Sequence, residues 1–125
     1  MRGGQSGRMA PLPLFAAMAA LIPAFTAPES SFVLSVQRGE AFQLSNLTCE
    51  PAGGLHPRAD QACLALSDVD GQIDGLSTGQ ALCTMEFDPV RVKASGTWRG
   101  ETRSFEAEYP NPCVMLAETG PVFDL

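Results

Sequence analysis

The sequence predicts an α+β fold: a two-layer sandwich in which an antiparallel sheet of about five strands is packed by one main helix and a short second helix, with two disulfides. Three observations predict it. Short segments whose apolar residues recur every second position occupy the regions around residues 32–49 and 90–109. Between them one segment switches to a period of three to four. Four cysteines, at positions 49, 63, 83 and 113, are even in number and widely spaced. At 125 residues the chain is long enough for one domain and too short for two.

The first residues stand apart from that pattern. Arg2 and Arg8 make a basic start, and Leu14 to Ile22 form an unbroken apolar run flanked by Pro11, Pro13 and Pro23. The run is too short to span a bilayer, and a basic start before a short apolar middle is the pattern of a secretory signal. Residues 1–27 are therefore read as a signal peptide, cut somewhere between Ala24 and Ser30, and residues 28–125 as the mature domain. A secreted, extracellular protein with no membrane association after cleavage is expected. Without Arg2 and Arg8, six basic residues face all fourteen acidic ones, a net charge of −8. Such a surface repels phosphate backbones, and its cations are scattered, so no nucleic-acid partner is expected.

In "SFVLSVQRGE", Phe32, Leu34 and Val36 share one strand face and Arg38-Gly39 turns the chain. "AFQLSNLTC" is a second strand, with Phe42, Leu44 and Asn46 on one face. "EPAGGLHPR" has two prolines, two glycines and no period, and is a loop. From Asp60 the apolar residues Ala62, Leu66, Val69, Ile73 and Leu76 trace one face of an amphipathic helix, with Asp60 as N-cap and Gly71 as a point where the helix ends or bends. Val90, Val92 and Ala94 alternate with Arg91 and Lys93, and Phe105, Ala107 and Tyr109 with Ser104, Glu106 and Glu108. Trp98 has the opposite parity from the latter set, so a turn or bulge lies between, at Ser95-Gly96 or Arg99-Gly100. The final "VFDL" offers a short edge strand. No apolar period places the short second helix.

Catalytic and metal chemistry find little support. No pair of cysteines has zinc-ligand spacing, and His56 is the only histidine, in a loop between Leu55 and Pro57. No serine sits in a strand-to-helix elbow that would use it. Asp68, Asp70 and Asp74 around Gly71 are superficially like a calcium loop but lack its third acidic position before the glycine and its distal glutamate, and read as solvated acids at a helix end. No catalytic residue, metal or cofactor is expected, and the protein is not read as an enzyme. Export with an even cysteine count favours two disulfides, and four cysteines allow three connectivities.

The remaining stretch is Leu82-Cys83-Thr84-Met85-Glu86-Phe87-Asp88-Pro89, where the residues alone favour Met85 as a core gap-filler. Taken in order, however, "VLSVQRGE", "LTCEPAGGLHP", "HPRADQAC", "CTMEFDPV", "GTWRG" and "NPCVM" resemble the Streptomyces subtilisin inhibitor family, across nearly all of Ser31–Leu125. The resemblance implies the pairing Cys49–Cys63 and Cys83–Cys113. It implies an inhibitor of subtilisin-like serine proteases that offers an exposed loop as a barely cleaved substrate. Met85 and Glu86 would flank the scissile bond, with Leu82, Cys83 and Thr84 in the upstream subsites and Phe87 and Asp88 downstream. Asn111 would support the loop from behind, Pro89 would stiffen it, and the protein would be a homodimer. Two positions depart from the family's pattern, since Thr84 stands where proline is frequent and Glu86 where a neutral residue is. A disulfide-stapled binding module of the same fold without inhibitory activity is the alternative.

Overall fold

The computed structural model describes residues 26–77 and 82–125; the basic start and apolar run of the expected signal peptide lie outside them. The two alternating regions form two hairpins. Strands β1 (Ser30–Arg38) and β2 (Ala41–Cys49) make one, and β3 (Val90–Trp98) and β4 (Glu101–Tyr109) the other. β1 and β3 pair antiparallel at the centre, giving the order β2-β1-β3-β4. The β3–β4 turn is Arg99-Gly100, both with positive φ (47° and 86°), as a tight turn matched to the strands' twist requires. Ser95-Gly96 lies inside β3.

Alternation sorts the strands into two faces. Phe32, Leu34, Val36, Leu47, Val90, Val92, Ala94 and Trp98 point into the core, with half-buried Phe105, Ala107 and Tyr109 beside them. Phe42, Leu44 and Asn46 do share a face of β2, but it is the outer one, and the two apolar side chains stand in solvent.

The main helix, α1, spans Ala59–Asp68 and is shorter than the apolar stripe suggests. Asp60 is not its N-cap. Arg58 holds that position without a side-chain cap, and Asp60 lies in the first turn, where its charge still favours the helix dipole. The helix stops because the Gly71 N–H turns back onto the Leu66 carbonyl (2.8 Å) with Gly71 at φ +73°. Ile73–Gly75 then form a 3₁₀ turn, so Ile73 and Leu76 continue the buried stripe after the helix has ended.

Four strands, not five, make up the sheet among the described residues. The chain after β4 forms the short second helix, α2 (Pro112–Thr119), and then a 3₁₀ turn at Gly120–Phe123. The expected edge strand fails because Val122 and Phe123 are neighbours and both fully buried, which a strand's alternation forbids. They plug the core against α1, and Phe123 meets Phe105 at 6.2 Å between ring centroids.

Both disulfides pair as the resemblance implies. Cys49–Cys63 ties the end of β2 to α1, and Cys83–Cys113 ties the segment before β3 to α2. Closing loops of 14 and 30 residues, they contribute about 3 to 4 kcal/mol each in the chain-entropy account.

Gly71 carries the sharpest steric requirement at the helix end, because a Cβ there would lie 2.3 Å from Trp98 Cγ. Replacing Gly71 by alanine is expected to lower the unfolding free energy by about 2 to 4 kcal/mol, combining left-handed strain with overpacking. Urea unfolding checks this as a lower midpoint at unchanged slope.

Candidate functional site

Residues 82–89 run without regular secondary structure between Cys83, bridged to α2, and the start of β3. The segment displays apolar side chains where a folded protein would ordinarily bury them. Leu82 is fully exposed, Met85 is 96% exposed and Phe87 83%. Met85 is therefore not core filler.

The backbone behind those side chains is tethered at nearly every other residue. Cys83 is bridged to Cys113. Asn111 Nδ2 donates to the carbonyls of Thr84 (3.2 Å) and Glu86 (3.0 Å), on either side of Met85. The Asp88 N–H donates to the Pro110 carbonyl at 2.7 Å. Pro89 limits the backbone of Asp88 and leads directly into β3. The tethers hold the carbonyls of residues 84 and 86, and the side chains of residues 82, 85 and 87 are left to project.

Asn111 can act this way because it is locked in place. Only 1% of it is exposed, and its Oδ1 accepts the Val114 N–H (2.9 Å) as the N-cap of α2, with Pro112 at the first helical position. One amide group thus closes a helix with its oxygen and anchors the loop with its nitrogen.

A further tether was not legible as such in the sequence. Arg38, at the end of β1, donates from Nε to Asp88 Oδ2 (2.8 Å), and its Nη2 contacts the same oxygen. Fifty residues separate the two, and Arg38 alone reads only as a turn residue. The hydrogen bond from Arg38 holds the Asp88 carboxyl below its usual range. Its contribution is fully present above the unfolded value of about 3.9 and is lost as pH falls through the lowered folded value, so it is constant around neutrality.

The other titratable candidates serve the fold. His56 is buried, with Nε2 on the Val122 carbonyl (2.8 Å) and Nδ1 accepting the Arg58 N–H (2.9 Å), so both ring nitrogens are occupied. Asp70 accepts the Trp98 indole N–H (3.1 Å). Among the described residues no group of three or more His, Cys, Asp or Glu is arranged to hold a metal ion.

Fold and loop together define a class of protein: a small disulfide-stapled α+β domain whose rigid frame displays a tethered apolar loop. The chain belongs to the subtilisin inhibitor-like family, whose model matches residues 28–111. It is 40% identical over 104 residues to the subtilase-type protease inhibitor of Streptomyces fradiae, covering 76% of this chain and 73% of that protein. It is 38% identical over 109 residues to subtilisin inhibitor-like protein 2 of Streptomyces rochei, covering 81% and 96%. Among solved structures it superposes on a chain of the crystal structure of Streptomyces caespitosus sermetstatin in complex with Bacillus licheniformis subtilisin. That match has a TM-score of 0.61 and 30% identity, and covers 77% of this chain and 98% of that one.

The dual use of Asn111 is separable by mutation. Asn111→Asp keeps the oxygen that caps α2 but replaces the donor with an acceptor facing two carbonyls. Asn111→Ala removes both functions, and the lost cap alone is expected to cost about 1 kcal/mol. Mobility of residues 84–87, read by NMR relaxation, is expected to rise in both variants. Amide exchange at Val114 is expected to quicken only in Asn111→Ala.

Proposed function

We propose that the protein is a secreted inhibitor of subtilisin-like serine proteases, acting through the loop at 82–88 with Met85–Glu86 as its reactive bond. The observation that carries this reading is the exposure of Met85 between two carbonyls held by one buried asparagine. A serine protease binds substrate as an extended segment, and a loop already held in one conformation loses little entropy on docking. Met85 is unbranched and apolar, suited to a deep, broad specificity pocket and not to an acidic one that selects lysine. Leu82 supplies a second apolar anchor upstream, Cys83 and Thr84 present the intervening backbone, and Phe87 and Asp88 extend the contact downstream.

The same frame explains slow turnover. When the enzyme's serine attacks the Met85 carbonyl, the upstream end stays bridged through Cys83–Cys113 and the downstream end stays continuous with β3. The Glu86 amine therefore remains beside the acyl group and can re-form the bond. Thr84 lacks the ring that would limit the unbound loop, and the bond from Asn111 to its backbone carbonyl is one that any residue at this position can accept.

The basic, apolar leader at residues 1–27 directs export, and cleavage between Ala24 and Ser30 releases the domain of residues 28–125 to the extracellular space. The protein further pairs with a second copy of itself through the outer face of its sheet. Val33, Phe42 and Leu44 stand exposed there, an apolar surface on the side away from both helices. Replacing Leu44 by lysine is expected to give a monomer by sedimentation at concentrations where the parent is dimeric, with inhibition per chain retained.

Titrating subtilisin with the purified domain tests the main reading. Stoichiometric loss of activity and slow, single cleavage at Met85–Glu86 are expected. Rapid digestion at many sites would sink the proposal, and a protein neither cut nor inhibitory would point to a binding module of the same fold. Met85→Lys is expected to shift inhibition toward trypsin-like enzymes by at least about tenfold, since a charged lysine is poorly matched to an apolar pocket.

A further inference from the structure

On the reading just proposed, cutting Met85–Glu86 leaves two ends that are retained by unlike means. The upstream end stops at Met85, two residues beyond a covalent bridge. The downstream end begins at Glu86 and carries no cross-link, with only the Pro89 ring to stiffen it before the chain enters β3 at Val90. What holds it is the Asn111 bond to the Glu86 carbonyl, the Asp88 N–H on the Pro110 carbonyl, and Arg38 on the Asp88 carboxylate. Arg38 is well placed for this. Its backbone is paired with Ala41 on one side and Val90 on the other, so the guanidinium projects from the fixed end of a central strand. Both Nε and Nη2 meet one carboxylate oxygen, and the charge of Glu86 acts on the same guanidinium.

We propose that Arg38 is a positioning residue of the reactive loop, holding the cleaved downstream end through Asp88 so that the Glu86 amine stays aligned with the acyl group on Met85. It is the noncovalent counterpart of Cys83–Cys113, and the inference rests on Met85–Glu86 being the reactive bond. In the forward step the enzyme's serine oxygen adds to the Met85 carbonyl carbon, the C–N bond breaks, and Glu86 leaves as an amine with a proton from the enzyme's general acid. In the reverse step that amine attacks the acyl ester, the C–N bond re-forms, and the serine oxygen leaves and recovers the proton. Water attacking in place of the amine gives a Met85 carboxylate and the cleaved inhibitor. The balance depends on how tightly the amine is held in place, which is an effective-concentration effect.

The test compares Arg38→Gln, Arg38→Lys and, as a control, Arg99→Gln, which breaks a similar pair with Glu50 at the opposite end of β1. Each protein is incubated with a trace of subtilisin until the ratio of cleaved to intact chain is constant, and the two forms are quantified by mass spectrometry. Arg38→Gln is expected to raise that ratio about two- to fivefold, the range of an exposed ion pair. Arg38→Lys is expected to fall between it and the parent, because a point charge keeps the attraction without the two-donor geometry. Arg99→Gln is expected to match the parent, whereas a general loss of stability would move it too. An unchanged ratio in Arg38→Gln overturns the proposal. In the free protein, without protease, amide exchange at Asp88 is expected to quicken in Arg38→Gln, and unchanged exchange overturns the latch on its own. A parent chain cut elsewhere would instead count against the reactive bond, with the exchange result still deciding what Arg38 does.

Discussion

The side chain of Asn111 is buried between the sheet's last strand and α2, and each end of its amide has a different task. Its oxygen closes the first turn of α2, and its nitrogen reaches forward to the carbonyls of Thr84 and Glu86. A buried amide is costly unless its hydrogen bonds are made, so the loop and the helix start satisfy one group together. Neither can relax without leaving part of that amide unpaired. The exposed loop is thereby tied to the buried frame through a single side chain.

That dependence explains why a domain this small is built around its loop. Three large apolar side chains, at Leu82, Met85 and Phe87, are surface and contribute nothing to the core. The compensation lies in the chain behind them. Val122 and Phe123 fold into the space under α1, His56 is fastened to the Val122 carbonyl, and two disulfides limit the unfolded chain. The helices occupy one face of the sheet only, which leaves Val33, Phe42 and Leu44 uncovered on the other. Loop display and an uncovered sheet face follow from the same economy of elements.

Much of the frame was readable from periodicity. Phe32, Leu34 and Val36, and Val90, Val92 and Ala94, alternate with polar neighbours, and each set is buried as its period requires. The parity change around Trp98 located a turn but left two places for it. The twist of the paired strands settled this, since Arg99 and Gly100 both take positive φ. Periodicity failed where a pattern outlasted its element. Ile73 and Leu76 continue the helical stripe through a 3₁₀ turn, and "VFDL" looks extended while its two buried neighbours require a turn.

Residue types and their order by themselves determined the four strands of the two hairpins, the presence of the main helix, the likeness to an inhibitor family and the cysteines available for pairing. They also marked Met85, but as core filler when read without that likeness. Only the tertiary structure decided that Met85 faces solvent, that Asn111 serves helix and loop at once, and that Arg38 meets Asp88 fifty residues away. The physical reason is that periodicity records which side of a local element is apolar. Exposure of an irregular loop, and the partners of its carbonyls, depend on surfaces brought together from distant parts of the chain.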